Sequence, residues 1–183
     1  MKAMSPSEKA AVSVSEKKPA KIKSPEKMRM SFAAKLREIY WCEKSLADHL
    51  PQLSKMATSY ELTSTILAHL AVTENQIIRL IHVFDAIGER AVGNNCSFID
   101  NILSEQDFTN FDAGFNRDQE IILSAQKIMK FEMKSYKKLL ELALHLKEEL
   151  AGEFLAMAIK EEVNAHRRLS QISLSSIYFD AAS

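Results

Sequence analysis

Apolar residues recur along this chain at alternating steps of three and four, the spacing that gathers them on one face of a helix. Four long runs carry the pattern. The first, from about Met30 to the mid-fifties, has the stripe Phe32, Leu36, Ile39, Glu43, Leu46, Leu50 and Leu53. The second, from Thr58, has Leu62, Ile66, His69, Thr73, Leu80, Phe84 and Ile87, flanked by Leu70 and Ile77. The third, from about Asn116, has Ile122, Ala125, Met129, Glu132, Tyr136, Leu139, Ala143 and Leu146. The fourth, from about Glu148 to Ser175, has Leu155, Ala158, Glu162, Ala165, Leu169 and Ile172.

Local signals set the expected ends. Pro51 is expected to bend the first helix or end it a turn early. Thr58 and Glu61 form a T-x-x-E capping box for the second, and Gly88 follows its end. Asn116, with Gln119 three residues on, is the expected N-cap of the third. No Gly or Pro separates the third and fourth runs, so periodicity alone allows one helix of about 60 residues. Such a helix could not bury its own stripe, which places a break near His145–Lys147. Between the second and third runs lies a long connection, residues 89–115, in which Cys96–Asp107 could form a short helix. The pattern predicts an all-α fold: two helical hairpins joined by a long crossover, the ferritin-like way of connecting a four-helix bundle.

Each stripe holds one polar residue in a core position: Glu43, His69, Glu132 and Glu162. An ionised carboxylate in a core is costly unless it has a partner, a proton or a metal. The four stand at matched distances from their turns. Glu43 precedes Thr58 by fifteen residues, and His69 and Val72 follow it by eleven and fourteen; Glu132 and Glu162 each lie fifteen from Lys147. At about 1.5 Å per residue, antiparallel partners with equal offsets sit at one level. Glu43 is therefore expected near His69 and Val72, and Glu132 opposite Glu162. Carboxylates with imidazole suit iron or manganese, and His166, one turn after Glu162, is a further candidate ligand. The alternative is a buried carboxylate network sharing protons or paired with His69, Arg79 or Lys130.

Composition agrees with an all-α chain: 46% hydrophobic, 26% charged, four Gly and four Pro in 183 residues. Net charge is zero, but residues 1–29 carry eight Lys/Arg against three Asp/Glu, so the rest of the chain is acidic by five. Neither nucleic acid nor a membrane is an expected partner of the whole molecule. Cys42 and Cys96 are too few for a disulfide framework or zinc cluster and read as reduced thiols. AAVSV is too short for a signal core, so the expected location is cytoplasmic. No phosphate loop or nucleophile elbow is present.

From about Phe32 to Ile172 the chain resembles the bacterial YciF-like family, ferritin-like proteins of no established function. The shared positions are Tyr40 with Glu43, the segment Leu50–Thr58, His69 with Thr73, and Gln76, Arg79 and Leu80. Cys96, Asp118, Ala125–Gln126, Glu132 with Tyr136, and Glu161–Glu162 with Leu169 complete them. The resemblance implies a ferritin-like bundle, often dimeric, with a candidate metal site at its centre and a stress-related role. Family members usually carry Glu at the position of Val72 and Glu-His at Met129–Lys130. Three potential ligands are therefore absent, as is an E-x-x-H motif; Glu162-x-x-x-His166 stands instead. Lys130, beside a lost ligand, is a candidate to replace metal charge with an ion pair.

The expected organisation is a disordered Lys/Ser/Pro-rich tail over 1–29, a ferritin-like domain over 30–177 and a short tail over 178–183. The expected function is a diverged ferritin-like protein with an incomplete metal site, structural or protective under stress, and homodimeric. One alternative is an iron- or manganese-binding oxidoreductase, so enzymatic activity is left open. Another is an accessory protein whose basic tail recruits an acidic partner. Candidate metal ligands are Glu43, His69, Glu132, Glu162 and His166.

Overall fold

Ser24 opens the first helix. Its side chain accepts from the Lys27 amide, Pro25 occupies the first turn where no amide donor is needed, and Glu26 faces the positive helix end. The computed structural model describes residues 24–104 and 108–180, and here α1 spans Pro25–Met56. The helix thus begins five residues before the expected start at Met30, and the expected tail boundary falls inside it. Residues 1–23 of that tail lie outside the described residues. Pro51 does not end α1. Losing one backbone hydrogen bond is offset by burial of Leu50 and Leu53 on either side of it.

Helix α2 spans Tyr60–Ala86. Its cap is Ser59, whose hydroxyl accepts from the Leu62 amide at 3.3 Å. Thr58 was the expected cap, but its hydroxyl accepts from the Gly114 amide instead. The Thr58 and Ser59 amides donate to the two carboxylate oxygens of Asp118, at 2.7 and 2.8 Å. At the other end the Glu89 amide reaches the Phe84 carbonyl and Gly88, with φ +71°, reaches that of Asp85. This is a full Schellman closure with glycine in its left-handed position.

The crossover contains α3, Ser97–Ser104, and a single 3-10 turn, Phe108–Asn110. Helix α4 spans Phe115–Leu146 and α5 spans Glu149–Asp180. Asn116 is not the cap of α4. Gly114, at φ +131°, holds that position and no side chain caps it. Asn116 lies exposed in the first turn. The break between α4 and α5 falls where burial demanded it. Lys147 takes the left-handed conformation, and the Glu148 and Lys147 amides return to the carbonyls of Ala143 and Leu144. α5 continues past the expected end at Ser175, so the expected boundary at 178 also lies within a helix.

All regular structure among the described residues is helical. α1 packs on α2 and α4, and α5 packs on α4 and α2, so the four long helices enclose one core; α3 covers α1 and α4 from outside. Every apolar member of the four stripes is buried except Ile87, Leu146 and Ala165, which are half-buried. None of the described helices is long and apolar enough to cross a membrane.

Candidate metal centre

Each long helix delivers one polar side chain to the middle of the core: Glu43 from α1, His69 from α2, Glu132 from α4 and Glu162 from α5. The three carboxylates have no solvent exposure and His69 is 6% exposed. Their placement follows from phase. Ile39 and Leu46 flank Glu43, Ile66 and Thr73 flank His69, and Met129 and Tyr136 flank Glu132 on the same buried faces. A helix that buries those neighbours must bury the residue between them.

Within that core, His69, Glu132 and Glu162 converge. One potential ligand atom from each lies within 4.8 Å of the others. Both oxygens of Glu132, the Oε2 atoms of Glu43 and Glu162, and Nδ1 of His69 are buried without a hydrogen-bond partner. Buried polar atoms are ordinarily satisfied, so such a convergence needs an ion, a shared proton or water.

Glu43 has a hydrogen-bond partner that its offset did not single out. Its Oε1 accepts from the Tyr136 hydroxyl of α4 at 2.5 Å. Offsets fix levels only within a hairpin, and the α1–α4 pairing joins different hairpins. Tyr136 was visible as a stripe residue, but nothing in its spacing marked it as a donor. Burial, with Glu43 beside it, pushes the Tyr136 phenol well above its usual range and keeps it protonated. Gln76 was also missed as part of the site. Its amide nitrogen donates to Glu162 at 3.0 Å and to Glu161 at 3.1 Å. Arg79 pairs with Glu161, which places the nearest cation one residue away from the buried carboxylate. A cavity of about 10 Å³, room for one water, adjoins Gln76, Arg79 and Tyr136.

Two expected participants stand apart. His166 does not join the convergent group. It is half-buried, its Nε2 lacks a partner, and burial followed by the Lys130 ammonium lowers its pKa. Lys130 is exposed, and no ion pair joins it to the buried carboxylates among the described residues. The helix phase that buries Met129 turns the next residue outward. Met129 is itself buried, so apolar bulk fills a position where the family resemblance implied a ligand. Val72, at another, is half-buried.

Burial is the largest influence on Glu43 and Glu132, and Glu162 is the next; both carboxyls are held well above the usual range. Tyr136 opposes this at Glu43. Without a cation the group must therefore carry protons. With one, two or three carboxylates and one imidazole form a hard-to-borderline donor set suited to a single divalent ion. The donors do not suffice for the roughly four carboxylates and two imidazoles of a two-metal centre.

The family described as Domain of unknown function (DUF892) matches residues 27–181. Protein YciF of Escherichia coli strain K12 is 25% identical over 149 residues, which cover 80% of this chain and 90% of that protein. The crystal structure of the E. coli stress protein YciF superposes with a TM-score of 0.77 at 24% identity, covering 82% of this chain and 97% of that one. YcfI from Rhodopseudomonas palustris, described as a candidate structural protein, gives 0.76 at 30% identity, covering 78% of this chain and 92% of that one. The resemblance read from dispersed positions thus extends over nearly the whole described chain, which belongs to the YciF-like DUF892 family.

Proposed function

We propose that this protein is a diverged ferritin-like four-helix bundle with a reduced site for one divalent cation, iron or manganese, and a protective role under stress. The observation that carries the site is the convergence of His69, Glu132 and Glu162 within 4.8 Å, with carboxylate oxygens that no protein donor satisfies. In this reading those three residues hold the ion. Tyr136 keeps Glu43 oriented beside them, and Gln76 fixes Glu162 while leaving its second oxygen available. A bound iron or manganese ion would supply redox chemistry toward oxygen or peroxide. The chain's own contribution is a dry, preformed cage that keeps bulk water from the ion. The stress-protein description of YciF, a family member, supports the physiological setting. Homodimer formation is part of the proposal and is checked by light scattering.

A second reading has its own support. Glu132 and Glu162 lie close enough to share a proton, and burial favours the neutral form of Glu132. The protein would then be metal-free and structural, in line with the description of YcfI. Elemental analysis of protein purified without chelators separates the two. About one equivalent of iron or manganese per chain supports the cation site. A metal content near zero that Mn(II) reconstitution does not change leaves the proton-sharing layer.

A further inference from the structure

The crossover is fastened to α1 by a run of contacts in register. The Arg37 side chain pairs with Glu89 at 2.6 Å, and the Arg37 carbonyl accepts from the Asn94 amide at 3.1 Å. Gly93 lies so close to Trp41 that a Cβ there would stand 3.1 Å from the Trp41 Cβ. The Trp41 indole nitrogen donates to Asp100 at 3.1 Å. This register sets Cys96, between Asn94 and Asp100, against Cys42, next to Trp41. Both are free thiols in the same core cluster, and their side chains interact directly. Cys96 also anchors α3, because its carbonyl accepts from the Ile99 and Asp100 amides. The centre described above uses neither sulfur.

We infer that Cys42 and Cys96 form a redox-active dithiol that a small hydroperoxide converts to an internal disulfide, locking the crossover onto α1. Cys42 has no exposure and Cys96 has 8%, so Cys96, at the mouth of the crossover, meets the oxidant first. Its sulfur attacks the peroxide; an S–O bond forms, the O–O bond breaks, and one water or alcohol leaves. The Cys42 sulfur then displaces the hydroxyl; an S–S bond forms, the S–O bond breaks, and the hydroxyl leaves as water with the Cys42 proton. The two thiols lose two protons and two electrons, and the peroxide is reduced by two electrons. The covalent link closes a long loop, so the oxidised form resists unfolding more strongly.

The test is native, fully reduced full-length protein treated with hydrogen peroxide, then denatured, alkylated and examined by mass spectrometry. The inference predicts a monomer lighter by two hydrogens, no alkylation at either cysteine, and one linked peptide pair joining the segments that contain Cys42 and Cys96. Dithiothreitol restores both thiols. Melting temperature rises by roughly 5–15 °C on oxidation and falls back on reduction. C96A shows no such rise. Both cysteines alkylated to the same extent as in untreated protein would overturn the inference. So would sulfinic acid without a link, or bonds only between chains.

Discussion

Glu132 has no hydrogen-bond partner on either carboxyl oxygen and no exposure, and its behaviour separates the two states of the site. Burial, then Glu162, lifts its pKa above the ordinary 4.5, and Glu43 is lifted likewise. In metal-free protein the native state then keeps protons that the unfolded state releases. The stabilisation is fully present below about pH 4.5 and is lost as pH climbs through the raised native values. Urea unfolding of chelator-treated protein between pH 4.5 and 8 is expected to give a falling stability, with a shallower slope in Glu132→Gln. A rising curve would contradict this. A second expectation concerns Glu162→Leu, which removes one of the two acceptors of Gln76 and leaves Glu132 without its neighbour. That change is expected to cost about 3–5 kcal/mol by urea unfolding, whereas apolar replacement of Glu43, Glu132 and Glu162 together with their partners His69, Gln76 and Tyr136 is closer to neutral. The buried phase of all four polar residues was legible because period 3.6 fixes which face a residue occupies. The Tyr136 and Gln76 partnerships were not, because they depend on how separate helices rotate against one another.

The helices themselves were legible in number and near extent, and their ends were less so. Thr58 and Asn116 have cap chemistry, but Thr58 is taken by the Gly114 amide and Asn116 falls inside the first turn of α4. Asp118 on α4 takes both the Thr58 and Ser59 amides, leaving Ser59 to cap α2. Asp118 thus ties the first hairpin to the start of the second. Asp118→Ala is expected to leave two amides unsatisfied and cost about 2–4 kcal/mol, read from the urea midpoint at constant m-value. Asp118→Asn, which can satisfy only one amide, is expected to recover part of that loss. At the α4–α5 turn the chain makes a left-handed closure with Lys147, at φ 59°. A lysine gives no sequence signal there, so only the need to bury two stripes located the break. Lys147→Gly is expected to stabilise the protein by about 0.5–1 kcal/mol by removing that strain. Equal or lower stability would show that the turn is not strained.

For the whole molecule, the hairpin–crossover–hairpin order brings one polar residue from each long helix into a single interior region. α2 supplies the imidazole, while α1, α4 and α5 supply carboxylates. In the proposed reading, Val72 and Met129 stand where the family resemblance implies acidic ligands, and the donors that remain suit one ion. In the proposed site Glu132, whose pKa is raised, must lose its proton to bind, so affinity for Mn(II) is expected to increase with pH from 5.5 to 7.5 in calorimetric titrations. No dependence on pH would show that the buried carboxyls are not the ligands. The most direct measurement is an anomalous difference map from crystals grown with Mn(II), collected on both sides of the manganese edge. One peak within coordination distance of His69, Glu132 and Glu162 is the predicted result. No peak there, with Glu132 and Glu162 at hydrogen-bonding distance over a shared proton, would contradict the single-cation site.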